Sequence, residues 1–310
     1  MSTASPSLEE LRRVEGAKPT KLDIANLMVI GLFHLMAALM IVRACFVGVS
    51  LWTVGLGLLW FLFCGFSITA GYHRLYAHRG YEASWPVRLF FLLFGAASLQ
   101  NSALKWCVDH RIHHRKTDQE EDPHAITKGF WWAHLGWILH LRDPDSQEVN
   151  RKDLVADPLV RFQHRGYLWL AILMGFAVPL GIGALWGDPI GALLFVGFLR
   201  VVVQWHVTWS INSLAHILGG KRYWKDTSAR DSWLIALPAL GEGYHNYHHR
   251  FPGDYRNGVR WFDLDPTKWL IWSLDKVKLA RKLRRTPRKL IERALAGRAE
   301  TNSEATDLPG

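Results

Sequence analysis

The chain has 310 residues, a mean hydropathy of +0.01 and a formal net charge of +10 at pH 7, but its apolar residues are gathered into blocks between charged stretches, the pattern of membrane spans rather than of one large soluble core. A basic chain with such blocks fits anionic lipid or a phosphorylated substrate as partner, and nucleic acid is not expected. Three cysteines, Cys45, Cys64 and Cys107, form no C-x-x-C pair, which excludes a zinc ribbon and an iron–sulfur motif.

Residues 1–21 are polar and charged and lack the short apolar core and small-residue cleavage site of a secretory signal. They are expected to form a cytoplasmic tail ahead of an uncleaved first anchor. Four blocks reach the ~20 residues a helix needs to cross a bilayer: 22–42, 50–72, 166–186 and 189–211. The first carries His34 and the fourth Arg200, each an ionisable group inside a span and so a candidate for function. The block 89–99 is too short to cross and fits an interfacial helix. With four spans, the ends of spans two and four, the middle segment and both termini share one face. The links 43–49 and 187–188 hold one cation, Arg43, whereas the middle segment and the stretch 276–285 (KVKLARKLRR) are rich in them. The shared face is therefore expected to be cytoplasmic. Sixteen tryptophans suit the membrane–water boundary. The expected organisation is one membrane domain over 22–275, followed by a basic tail, 276–310. That tail begins as a surface helix on anionic headgroups and is disordered from about residue 299.

Of 15 histidines, eight fall in three clusters. His73 and His78 end the second block; His110, His113 and His114 lie in the middle segment; His245, His248 and His249 follow the fourth block. A ninth, His216, lies about a turn beyond that block. Positions i, i+3 and i+4 share a helix face, so each trio is expected to hand its imidazoles to a common centre. His73 and His78 stand about 140° apart on an ideal helix, so this pair sits at a helix end or serves two metals. Nine imidazoles exceed the capacity of one metal, and two metals with four or five nitrogens each is the natural count. With no thiolate on offer and no H-E-x-x-H, iron suits the donors best among common metals, ahead of copper and zinc. His34, His124, His134, His140, His164 and His206 read as structural or supporting residues; His124, in Asp122-Pro-His, is the strongest of them for a role beside substrate or ligand.

At these clusters the sequence resembles the membrane fatty-acyl desaturases of the stearoyl-CoA (delta-9) type. The resemblance is carried by 71–79 (GYHRLYAHR), 106–114 (WCVDHRIHH), 241–249 (GEGYHNYHH) and 212–216 (NSLAH), and runs from about Ile68 to Trp269. It implies an all-α integral membrane protein, four transmembrane helices under a cytoplasmic helical cap that holds a histidine-rich dimetal site. It further implies two iron ions on the nine histidines, with Asn212 reaching one metal through water; zinc can occupy such positions in an expressed protein that has lost its iron. It implies a bent acyl tunnel shaped by Gln100, Trp106 and Thr208, walled by Trp209 and closed near Phe61 and Gly65. Asn101, Asp109 and Arg111 lie where contacts to coenzyme A are made, although Asp109 is favoured as a group that holds a ligand imidazole by its other N–H. His124 and Glu242 are expected in that supporting role as well. Some members carry a fused cytochrome b5; here no His-Pro-Gly-Gly haem segment occurs. The resemblance is therefore to the bacterial-like form, with electrons from a separate ferredoxin, rubredoxin or cytochrome b5.

The implied chemistry fits the residues. An unactivated methylene is too inert for acid–base side chains, whereas a metal centre that reduces O2 can remove its hydrogen. Two electrons and two protons complete the reduction of O2, and a cis double bond results. A di-iron hydroxylase of alkyl or acyl chains shares this logic, and a desaturase acting on acyl lipid or acyl carrier protein is a further alternative. A metal transporter would carry its ligands within the spans, and here the clusters lie beyond them.

Overall fold

The computed structural model describes residues 21–141 and 150–297; the expected tail, up to residue 20, and the expected disordered end from about 299 lie outside them. Among the described residues, four helices are long and apolar enough to cross a membrane: Ile24–Val47, Leu51–Ala77, Tyr167–Ala184 and Pro189–His216, here spans 1 to 4. Asp23 caps span 1 by accepting from the Asn26 N–H at 3.0 Å. Met28, Leu32, Leu35 and Leu39 stand exposed along that span, as on a helix that faces lipid. Its opposite side packs Phe33 and Ala37 onto Val201, Val202 and Trp205 of span 4. Leu56, Trp60 and Cys64 of span 2 meet Ala192 and Val196 of span 4, which puts span 4 between spans 1 and 2. On the side away from the histidines, Arg43 and Asp188 pair at 2.8 Å and tie the two short inter-span links together.

Two spans run further than the sequence suggests. Span 2, expected to end at 72, continues to Ala77 because its last turns, Ser67–Ala77, wind as a π-helix. Span 4, expected to end at 211, is helical to Asn212 and adds a 3₁₀ turn to His216. The short apolar block forms helix α1 (Trp85–Ala97), with Pro86 in its first turn, lying against the π segment. A Cβ at Gly71 would stand 2.7 Å from Phe91 Cβ, so glycine is what lets the two helices approach this closely.

The remaining elements form a helical cap over one end of the spans. They include α2 (Ala103–Lys116), α3 (Phe130–His134), α4 (Pro158–Arg165), α5 (His245–Arg250) and α6 (Pro266–Lys276). The start of span 1 joins this end: Asp23 N–H donates to the Leu139 carbonyl at 2.7 Å and Leu141 N–H to Lys21 at 2.8 Å.

The basic stretch after Lys276 is not a surface helix. Lys278 and Lys282 take left-handed backbone angles, φ 61° and 53°, which break a helix, and between them β2 (Ala280–Arg281) pairs antiparallel with β1 (Glu82–Ala83). Ala280 points inward, while Arg281 and Lys282 each reach Glu82 at 2.8 Å. The chain ends its described course as α7 (Arg288–Leu295), which packs Ile291 and Ala294 on Tyr247 and Phe251.

Candidate metal centre

The nine clustered histidines converge in two groups. His73, His78, His110, His114 and His248 offer five ring nitrogens within 4.8 Å of one another, and His113, His216, His245 and His249 offer four. Span 2 delivers His73 and His78, α2 and α5 deliver three each, and the end of span 4 delivers His216.

Each trio therefore divides between the groups instead of sharing one centre. His110 and His114, spaced i,i+4, join the first and His113 the second; His245 and His249 join the second and His248 the first. On an α-helix the i+4 side chain stands about 40° to one side of residue i and the i+3 side chain about 60° to the other. Two helices facing a pair of metals thus give an i,i+4 pair to the near ion and the i+3 residue to its neighbour. His73 and His78 fall in one group because their turn is π-helical, so residues five apart lie one above the other: His78 N–H donates to the His73 carbonyl at 3.1 Å.

Four of the imidazoles meet a polar partner at the outer nitrogen, while Nδ1 of His245 and His248 has no hydrogen-bond partner in the structure. His113 Nδ1 lies 2.9 Å from Asp122 Oδ1. His216 Nδ1 contacts Ser228 Oγ, whose own proton goes to Asp118. His249 Nδ1 stands 3.4 Å from Thr117 Oγ1, a hydroxyl that donates to the His113 carbonyl. His73 Nδ1 is at ion-pair distance, 2.8 Å, from Glu242, outside in-plane hydrogen-bond geometry. These contacts place the ring protons outward and turn bare Nε2 lone pairs inward. Yet the Nε2 atoms crowd together: His113 to His249 3.2 Å, His249 to His245 3.0 Å, His245 to His216 3.1 Å, His73 to His248 2.9 Å and His248 to His114 2.8 Å. Lone pairs facing one another need a cation between them. Ligands at right angles around a metal about 2.1 Å away stand about 3 Å apart, which is the spacing found. The donor set fits two metal ions without thiolates.

Burial, then the neighbouring imidazoles, hold His78, His110, His114, His245, His248 and His249 well below the ordinary histidine range, the neutral form a metal requires. Asp122 would be raised by burial, but His113 and His124 outweigh it and hold it well below the usual carboxylate range. Burial likewise opposes, and Arg74 and His73 overcome, to lower Glu242. Arg74, fully buried, donates to Glu242 at 2.9 Å, to Asp265 at 3.0 Å and to the Tyr255 carbonyl at 2.8 Å. It fixes the carboxylate that faces His73.

An apolar pocket opens beside the histidines. Phe61, Gly65, Trp106, Thr208 and Asn212 line it together with His73, His110, His113 and His245. Trp106 stacks on His110, centroids 4.9 Å apart. Gln100 reaches this wall by donating to Thr208 Oγ1 at 3.0 Å, while Trp209 stacks on Trp205 toward span 1. Asn101 is exposed with a left-handed φ of 76°, its N–H on Tyr167 Oη. Asp109 pairs with Lys105 at 3.2 Å. His124 joins Asp122 and His113. Arg111 corrects an expectation: its five N–H groups go to the carbonyls of Tyr76, Ala77 and Asn150 and to both Asp153 oxygens, which leaves no donor for a head group. It clamps the end of the π segment instead. Partial burial would raise Asp153, but Arg111 and Arg79 bring it down to about 2.

Asp118, Asp122, Thr117 and Ser228 support ligands without being marked as such by the histidine spacing. The run Thr117–Asp122, polar and adjacent to a histidine trio, was the available signal for three of them. Away from the centre, His34, His206, His134 and Ser213 form a chain of contacts of 3.1, 3.0 and 2.9 Å joining spans 1 and 4 to α3. Arg200 neither snorkels nor pairs with an acid; it donates to the Val196 and Ala97 carbonyls and to Gln204.

Comparison with known proteins places this geometry. Residues 49–281 match the family model described as fatty acid desaturase. The chain is 45% identical over 233 residues to acyl-CoA desaturase 1 of Saccharomyces cerevisiae, covering 74% of this chain and 46% of that protein. It is 38% identical over 247 residues to human stearoyl-CoA desaturase 5, covering 76% and 75%, and 38% identical over 247 residues to the delta(9)-fatty-acid desaturase fat-6 of Caenorhabditis elegans, covering 77% and 72%. The chain spans about half the length of the two yeast relatives it matches.

Proposed function

This chain belongs to the fatty acid desaturase family, and from that premise we propose that it introduces a cis double bond into a long-chain fatty acyl thioester, an acyl-CoA desaturated at the delta-9 position, in an O2-dependent reaction. The observation that carries the reading is the pair of converging imidazole groups beside an apolar pocket.

His73, His78, His110, His114 and His248 would hold one iron and His113, His216, His245 and His249 the other, and Asn212, at the pocket wall, would serve one of them through water. Iron supplies there the O2 activation that removing hydrogen from an unactivated methylene pair demands. The chain's own residues do the rest. Asp122, Ser228, Thr117 and Glu242 fix ring orientation through the outer nitrogens. Trp106 and Thr208 exclude water and hold the alkyl chain where it passes the histidines, and Phe61 lines the pocket further down span 2. An alkyl chain has no polar handle at its middle, so position along it must be measured from the head group, by pocket length and shape.

The cap carries the exposed cations, and by the excess of positive charge on the inner side it faces the cytoplasm with both termini. Electrons come from a separate ferredoxin, rubredoxin or cytochrome b5, for which a basic face suits an acidic partner. The test is a fatty-acid profile of membranes from a desaturase-deficient host expressing the chain, beside His113→Ala. New cis monounsaturated acids that the variant lacks support the reading; hydroxy acids in their place move it to hydroxylation.

A further inference from the structure

Arg200 is a cation buried inside span 4, 3% exposed, and it reaches the end of another helix. Helix α1 stops at Ala97, and a helix that stops leaves its last carbonyls without backbone partners. The turn that follows answers two of them itself: Ser98 N–H donates to the Gly95 carbonyl at 3.3 Å and Leu99 N–H to the Ala96 carbonyl at 3.1 Å. Span 4 answers the next two. Arg200 Nη1 donates to the Ala97 carbonyl at 3.1 Å and Trp205 Nε1 to the Ser98 carbonyl at 3.1 Å. A change of winding in its own helix places Arg200 for this. The segment Leu193–Leu199 is π-helical, so the Arg200 N–H reaches five residues back, to the Phe195 carbonyl. The Val196 carbonyl, four back, accepts instead from Arg200 Nε at 2.9 Å. A helix C-terminus carries about half a negative charge, and this is the charge that the lone cation meets.

The turn that Arg200 holds carries part of the pocket wall. Leu99 and Asn101 both take left-handed backbone angles, φ 53° and 76°, a conformation that residues with a Cβ keep only where their surroundings enforce it. Between them, Gln100 donates to Thr208 Oγ1 at 3.0 Å, and Thr208 lines the pocket beside the histidines. Directly after Asn101, Ser102 caps α2, the helix of Trp106 and His110. We propose that Arg200 is a positioning residue: by capping α1 it fixes the turn 98–101, and with it the Gln100–Thr208 wall that decides which methylene pair lies at the histidines. The proposal rests on the acyl-chain reading. An alkyl chain has no polar group at its middle, so the wall is its gauge. A displacement of about 1 Å there lowers the rate at one methylene pair by up to about 100-fold and brings the next pair into competition. Without the guanidinium the Ala97 carbonyl, on a fully buried residue, loses its donor. The turn then shifts to answer it, and Gln100 moves with the turn.

The test is the position of the double bond in the product, read by mass spectrometry, from membranes that hold the full chain and receive one saturated acyl-CoA. The wild type is expected to give one positional isomer. Arg200→Met keeps the length of the side chain and removes every donor. Isomers displaced by one or two carbons should then rise about tenfold as a share of product. Arg200→Lys keeps a cation with donors of similar reach and should return that share close to the wild-type value. Trp205→Phe removes only the donor to the Ser98 carbonyl and should raise the share in the same direction, by less. A role in stability alone has a different signature: product falls with the melting temperature in detergent while the double bond stays in place. That result in Arg200→Met overturns the proposal, as does an Arg200→Lys product as scattered as that of Arg200→Met. Should Arg200→Met fail to accumulate as folded protein, Trp205→Phe decides: a raised share supports the proposal and an unchanged one overturns it. Absence of unsaturated product from the wild-type chain would instead contradict the functional reading, a result separable from each of these.

Discussion

The His78 N–H reaches back five residues to the His73 carbonyl, at 3.1 Å, and this i→i+5 bond puts both side chains in the same group of ligands. His73→Ala and His78→Ala are therefore expected to deplete the same ion. Elemental analysis of purified protein should find about one metal lost in each variant and no more in the double variant. His73→Ala with His113→Ala should lose both. Loss of two metals from the His73/His78 double variant alone would show that the pair serves two ions.

Asp122 is the carboxylate that fixes His113. Asp122→Asn keeps the shape but weakens the hold on Nδ1, and metal affinity of the four-histidine group should fall about 10- to 100-fold. Chelator titration followed by metal content should show one ion released at lower chelator concentration than in the wild type, with the other unchanged.

Arg111 spends all its donors inside the fold. Arg111→Ala should lower stability by about 2 kcal/mol, seen as a depressed melting temperature in detergent, while KM for acyl-CoA stays within about twofold. The reverse pattern, an unchanged melting temperature with a KM raised tenfold or more, would restore it as a head-group contact.

The six histidines held below their ordinary range fix the sign of a pH effect on metal-free protein. In the unfolded chain these imidazoles take up protons near pH 6.5, while burial keeps them neutral in the folded state. The unfolded state then binds more protons, and stability falls as pH drops below about 6.5. Chelator-treated protein should melt at progressively lower temperature from pH 7.5 to pH 5. A flat profile across that window would contradict the burial of these rings.

Much of this architecture is legible in the sequence because its signals are compositional or periodic. The four spans follow from apolar length, and the block 89–99 that lies in and after α1 is separable from them because eleven residues cannot cross a bilayer. The trios were legible as sites through i, i+3, i+4 spacing. Their division between two ions was not, because helical periodicity says which residues share a face and not how many centres that face meets. The π turn at Ser67–Ala77 has no period of its own in the sequence, so the five-residue gap between His73 and His78 read as an anomaly when it is the natural repeat of that turn. The stretch from Lys276 reads as a basic surface helix; its pairing with Glu82 and Ala83, nearly two hundred residues earlier, is a tertiary relationship that local pattern does not carry.

The most direct test of the account is the iron K-edge absorption spectrum of the iron-loaded chain, read together with metal content per chain. Two irons per chain with first neighbours that are nitrogen or oxygen alone, at about 2.1 Å, is the predicted result. A single iron per chain, or a sulfur neighbour at about 2.3 Å, would contradict a centre built from these nine histidines.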